Sequence, residues 1–171
     1  MERPVSLQEV LDGRDRRAAR CRALLEAHRL PVLQATLVVP GPVKDLPECR
    51  RLMAVASAQL DAGLRVRGWT VAADEPAFPP TGPERLLAVA APARDLKRLA
   101  VSLEQDQPLG RFWDLDVIDP VSGPVSRREL GLPPRPCLLC GGEARACARS
   151  RRHPVAELVA YLKERVHAHA P

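Results

Sequence analysis

From Pro31 to Val117 the repeat of apolar residues changes in the order strand, helix, strand, strand, helix, strand, and few chain paths can bury such a series. Pro31 to Val39 is a strand run stopped by the breakers Pro40-Gly41-Pro42. Cys49, Leu52, Met53, Ala56 and Leu60 recur at helical spacing, which predicts an amphipathic helix from Pro47 to Asp61, followed by a strand near Val66 to Ala72. Four prolines between Pro76 and Pro83 predict a loop, and Arg85 to Ala91 then reads as a buried strand. Pro92 stands where a helix begins, with Leu96, Leu99, Ala100 and Leu103 as its buried face. The last strand carries Trp113 to Val117. This is an α+β series of the ferredoxin-like βαββαβ kind, an antiparallel sheet with both helices on one face and the other face open.

The flanks add to this unit. Ser6-Leu7-Gln8-Glu9 has capping-box spacing and opens a helical region that runs to about Arg29, with a break expected at Gly13. Asp119 to Gly123 is a turn, so Val125 to Arg128 is expected to return as an added hairpin strand. Pro133, Pro134 and Pro136 stiffen a linker, and an apolar stripe of Val155, Leu158, Val159, Leu162 and Val166 predicts a C-terminal helix. The expected division is residues 1–132 as an α+β domain that includes the N-terminal helix, and 133–171 as a Cys-rich loop and helix packed on it. A chain of 171 residues suffices for such a core.

Within the last strand, side chains alternate, so Asp114 and Asp116 share one face while Trp113, Leu115 and Val117 anchor the other. Two close carboxylates are costly unless solvated, hydrogen-bonded or bridged by a cation. The residues alone fit a wet strand. They also fit an oxygen-only site for Mg²⁺ or Mn²⁺ of the kind phosphoryl and nucleotidyl transfer use.

Behind the proline linker, Cys137-Leu138-Leu139-Cys140 followed by Gly141-Gly142 has the form of a metal knuckle. Cys147 and His153 complete a four-ligand set for structural Zn²⁺, with no position left for water. Three reduced thiols beside an incidental histidine, or a redox Cys-x-x-Cys, are the other readings. Cys21 and Cys49 lie at apolar helix positions and read as core.

The formal charge of +5 points to an anionic partner. Of the 26 Lys and Arg residues only Lys44, Lys97 and Lys163 are lysine, a skew that owes something to genome composition. No apolar run approaches the ~20 residues that span a bilayer, and the N-terminal stretch lacks the apolar segment of a secretory signal. A cytoplasmic protein with no membrane partner is expected.

Several blocks together resemble the CitX family. They are Pro40-Gly41-Pro42-Val43-Lys44-Asp45, Ala91 to Lys97, Pro108 to Arg111 with Trp113 to Val117, and Ser126-Arg127-Arg128 leading to Leu132 to Cys140. The resemblance runs from about Val5 to the C-terminal helix. Gln107 and Phe112 depart from the family pattern, and no proton-transfer role is assigned at Gln107. The resemblance implies an apo-citrate lyase phosphoribosyl-dephospho-CoA transferase. In that reaction a serine of the citrate lyase acyl carrier subunit attacks the α-phosphorus of triphosphoribosyl-dephospho-CoA, and pyrophosphate leaves. On this reading Asp114 and Asp116 hold Mg²⁺ and one of them draws the serine proton, while Arg111 reaches the phosphates. Lys44, Arg94, Arg14 and Arg17 are the expected substrate-binding cations, Arg94 being favoured by its place at a helix start.

Two other classes compete. An RNA-binding ferredoxin-like module with a zinc knuckle needs stacking aromatics on its first and third strands, and Pro31 to Val39 and Arg85 to Ala91 contain none. A non-catalytic zinc-stapled adaptor leaves the paired aspartates without a role.

Overall fold

The structure, a computed structural model, describes residues 3–169. Five strands form one antiparallel sheet in the order β2-β3-β1-β4-β5, from β1 (Val32–Leu37), β2 (Thr70–Ala77), β3 (Glu84–Ala90), β4 (Trp113–Asp119) and β5 (Gly123–Pro124). Helix α1 spans Leu7–His28, α2 spans Pro47–Val66 and α3 spans Ala93–Asp106. Two further helices follow, α4 (Ala144–Ser150) and α5 (Val155–His169). Among the described residues no helix is long and apolar enough to cross a membrane.

The main core lies between one sheet face and α2, α3 and α5. Leu33, Leu87, Trp113 and Leu115 meet Leu52 and Leu96 there. Leu162 and Val166 of α5 enter the same cluster, and Tyr161 packs on Phe112 with ring centroids 5.9 Å apart.

The second sheet face is not open throughout, contrary to the sequence expectation. Cys21 and Leu24 of α1 pack on Val32, Leu86 and Ala88, so β3 is covered on both sides. The β4 end of that face stays accessible, and Asp114 and Asp116 lie there. Helix α1 is also unbroken at Gly13. A Cβ at that position would come within 2.9 Å of Thr81 Oγ1, so glycine lets the helix pass close over the loop before β3.

Other boundaries move for local reasons. Leu64 extends the buried face of α2, which runs to Val66 rather than Asp61 and ends before Gly68 at φ +66°. Strand β2 therefore begins at Thr70, and it continues through Pro76 because an edge strand tolerates a missing donor. The expected hairpin strand from Val125 to Arg128 is displaced to Gly123–Pro124. Ser126 and Glu129 exchange side-chain to backbone hydrogen bonds, which turns the chain into a short 3-10 turn at Arg128–Leu130 and away from β4. The outer edge of β4 at Leu115 is thus left without a neighbouring strand.

Candidate active site

Helix α3 supplies what β5 does not reach. Leu115 stands between the two aspartates; its N–H donates to Glu104 (2.8 Å), and its carbonyl accepts from Lys97 Nζ (2.7 Å). Lys97 and Glu104 are two turns apart on α3, and both are buried. Each continues outward: Lys97 to Asp116 at 3.2 Å, and Glu104 to Arg127.

The aspartates differ in setting. Asp116 is exposed, whereas Asp114 is half-buried and donates nothing but accepts from Arg135 at 2.7 Å. Burial, and then the charge of Asp116, push the Asp114 carboxyl above the usual range, with Arg135 opposing them. Both line a cavity of about 630 Å³ whose walls include Lys97, Glu104, Arg127 and Arg135. The far wall, Glu143 to Arg145, belongs to the cysteine segment.

A smaller cavity of about 200 Å³ meets the first at Asp114. The expected substrate-binding residues Arg14, Arg17 and Lys44 come together here, beside Thr36, Thr81 and Glu84. Arg94 is not among them; its guanidinium donates to the carbonyl of Glu129. Arg111 lines neither cavity. It donates to the carbonyls of Pro136 and Cys137, where burial and then Arg135 lower its pKa.

Cys137, Cys140, Cys147 and His153 converge, with all ligand atoms within 4.8 Å of one another, and could hold a metal ion. Cys140 and Cys147 Sγ are 3.5 Å apart, and the buried Nε2 of His153 has no hydrogen-bond partner. The N–H of Gly142 leads in lowering the Cys140 thiol to about 6, while sharing with Cys140 raises Cys147 to about 11. One ion at the centre would take up all four groups.

Lys97, Glu104, Arg127 and Arg135 were not singled out by the sequence expectations. A usable signal existed for two of them: Lys97 and Glu104 fall seven residues apart within the apolar stripe of Leu96, Leu99, Ala100 and Leu103, where charge must be paired. Arg127 and Arg135 lie in irregular segments and carry no comparable pattern.

Residues 5–169 match the family described as CitX, apo-citrate lyase phosphoribosyl-dephospho-CoA transferase. Proteins of that name from Escherichia coli O7:K1 and Shigella flexneri serotype 5b are each 43% identical over 155 residues, covering 91% of this chain and 85% of theirs.

Proposed function

The chain belongs to the CitX family, and from that premise we propose that it is a transferase that attaches the phosphoribosyl-dephospho-CoA group to the citrate lyase acyl carrier subunit. The donor is triphosphoribosyl-dephospho-CoA. The carrier serine Oγ forms a bond to the α-phosphorus, and the bond from that phosphorus to the oxygen bridging the β-phosphorus breaks. Pyrophosphate leaves with the electron pair, and the serine proton passes to a carboxylate of the Asp114/Asp116 pair. The observation that carries the reading is the placement of both aspartates on one cavity of about 630 Å³ walled by Arg127 and Arg135.

The aspartates suit Mg²⁺. Their Oδ1 atoms are engaged by Arg135 and Lys97, leaving the Oδ2 atoms as an oxygen-only donor pair. When bound, the ion supplies charge neutralisation at the phosphates. Lys97 and Glu104 fix the strand between the carboxylates, and Arg135 fixes Asp114. Arg111 acts from behind, holding the segment that bears Arg135.

The cysteine segment is proposed as a structural Zn²⁺ site. Tetrahedral Zn–S bonds of about 2.3 Å set ligand atoms about 3.8 Å apart, a spacing the cluster accommodates. With four protein ligands it serves as a staple for residues 133–171. The sheet order and antiparallel pairing support a ferredoxin-like core with α1 added on the second face. Five free cysteines suit a reducing cytoplasm.

The test mixes the protein with apo carrier, Mg²⁺ and the triphosphoribosyl donor, then weighs the carrier. A mass gain of one phosphoribosyl-dephospho-CoA group, lost with Asp116→Asn, is expected. No gain, or a gain indifferent to Asp116→Asn, overturns the mechanism.

A further inference from the structure

The cavity beside α1 carries more positive charge than its own carboxylates need. Among the residues lining it, Arg14, Arg17 and Lys44 face only the carboxylates of Glu84 and Asp114, and the buried Glu84 is already paired with Arg17 at 2.8 Å and with Arg20 at 2.7 Å, Arg20 reaching on to Glu75 at 3.0 Å. Lys44 is half-buried, and its ammonium donates to the carbonyl of Val39. Among the described residues neither Lys44 nor Arg14 has a carboxylate ion pair. Burial lowers the Lys44 pKa, and the nearby Arg14 charge lowers it further. Lys44, half out of water, and the exposed Arg14 are like charges brought together at one mouth, a repulsion that an anion between them relieves.

The cavity is also a built space. Its walls come from α1, the end of β1, the loop at Lys44 and the loop at Thr81-Gly82. Gly82 sits at φ +106°, where a Cβ would lie 3.1 Å from the Lys44 carbonyl, and Gly13 brings α1 against Thr81. Both glycines keep the cationic walls close. Thr36 and Thr81 add hydroxyl groups to the lining.

We propose that this cavity of about 200 Å³, lined by Arg14, Arg17 and Lys44, receives the pyrophosphate leaving group. The inference rests on the transfer reaction proposed above and deepens it. Asp114 borders both cavities, so it marks the junction where the α-phosphorus is attacked. The larger cavity then houses the phosphoribosyl-dephospho-CoA portion and admits the serine. When the bond from the α-phosphorus to the bridging oxygen breaks, the electron pair departs on pyrophosphate toward Arg14, Arg17 and Lys44. Cations fixed where charge develops stabilise that departure.

Inorganic pyrophosphate with Mg²⁺ is the probe, titrated calorimetrically into the full chain without donor or carrier. Arg14→Ala and Lys44→Met are each expected to weaken binding about tenfold, as loss of a charge-assisted contact does, while Arg145→Ala leaves it unchanged. Pyrophosphate is also expected to compete with the donor and not with the carrier. Arg14 is exposed, so Arg14→Ala carries the test if Lys44→Met fails to fold. Unchanged affinity in Arg14→Ala, or loss of affinity in Arg145→Ala, assigns the phosphates elsewhere and overturns the proposal; absence of binding to the wild type does the same. Failure of the function reading looks different: the wild type would not load the carrier, whatever its affinity for pyrophosphate.

Discussion

Arg111 and Arg135 each hold the backbone beside the other. Arg111 donates to the carbonyls of Pro136 and Cys137, and Arg135 donates to those of Trp113 and Arg111. This clasp joins the start of β4 to the start of the cysteine segment, and Arg135 spends its remaining reach on Asp114. The Asp114 carboxylate, on the proposed reaction site, is therefore oriented by a side chain whose own position depends on the cysteine segment.

Only a planar, forked cation spans a carboxylate and two carbonyls at once. Arg135→Lys is accordingly expected to lower kcat about 10- to 100-fold, as a misplaced reacting group does, with melting temperature little changed. Steady-state loading of the carrier, followed by mass, reads this. A lysine variant with wild-type kcat removes Arg135 from the positioning of Asp114.

Metal content should follow the knuckle. One Zn²⁺ per chain is expected in protein purified without added metal, and Cys147→Ser should lose it. Because metal binding energy is folding energy in such segments, chelation should lower the melting temperature. Activity should fall with it, since Cys137 is both a candidate ligand and, through its carbonyl, an acceptor for Arg111. Elemental analysis beside a thermal melt decides it; a metal-free sample that melts as before excludes the staple.

Much of the sheet was legible because its signals are local. The apolar strands, the proline and glycine breakers and the α3 stripe each act within a few residues. The second covered face was missed, the expectation being an open one, although a signal stood in the sequence: Leu86-Leu87-Ala88-Val89 does not alternate, and an unalternated strand needs apolar partners on both sides. That partner is α1, through Cys21 and Leu24. The missing neighbour at Leu115 could not be read. It follows from a capping exchange between Ser126 and Glu129, which turns the chain away from β4 after Val125, whose N–H still donates to the Val117 carbonyl. The same holds for Arg94 and Arg111, whose carbonyl partners lie 35 and about 25 residues away. In a chain this rich in arginine, sequence gives the charge but not its direction.

Gly110 is required by contact rather than by conformation. A Cβ there would sit 2.2 Å from the Leu103 carbonyl and 2.8 Å from that of Glu104. Gly110→Ala must push the turn before β4 off the end of α3, and overpacking of this kind costs about 1–3 kcal/mol. Urea denaturation should show a lower midpoint at unchanged slope. Activity should fall too, because the displaced turn leads directly into Trp113 and Asp114.

The capping box of α1 sets an acid sensitivity. The Arg3 guanidinium, then the Ser6 N–H, hold Glu9 at about 2, below its ordinary 4.5. A carboxyl depressed in the folded state contributes fully above its unfolded pKa and loses that contribution as pH falls through its folded value. The melting temperature should decline between pH 5 and 2, and Glu9→Gln should decline less over that window. Equal slopes for the two proteins would mean that Glu9 is not linked to folding.

Glu104 is buried with three partners: it accepts the Leu115 N–H, pairs with Arg127, and lies 4.0 Å from Arg135. Glu104→Gln keeps an acceptor for the strand but leaves Arg127 without its counter-charge at 13% exposure. Breaking a buried pair from one side costs about 3–5 kcal/mol, mostly for the cation left behind. Removing that cation as well should recover part of the loss, so Glu104→Gln with Arg127→Met is expected to be more stable than the sum of the single effects predicts. Denaturation midpoints of the four proteins measure the coupling. Strict additivity would show that the Glu104 carboxylate and Arg127 are not coupled, and kcat would then follow Leu115 alignment in both Glu104 variants regardless of Arg127.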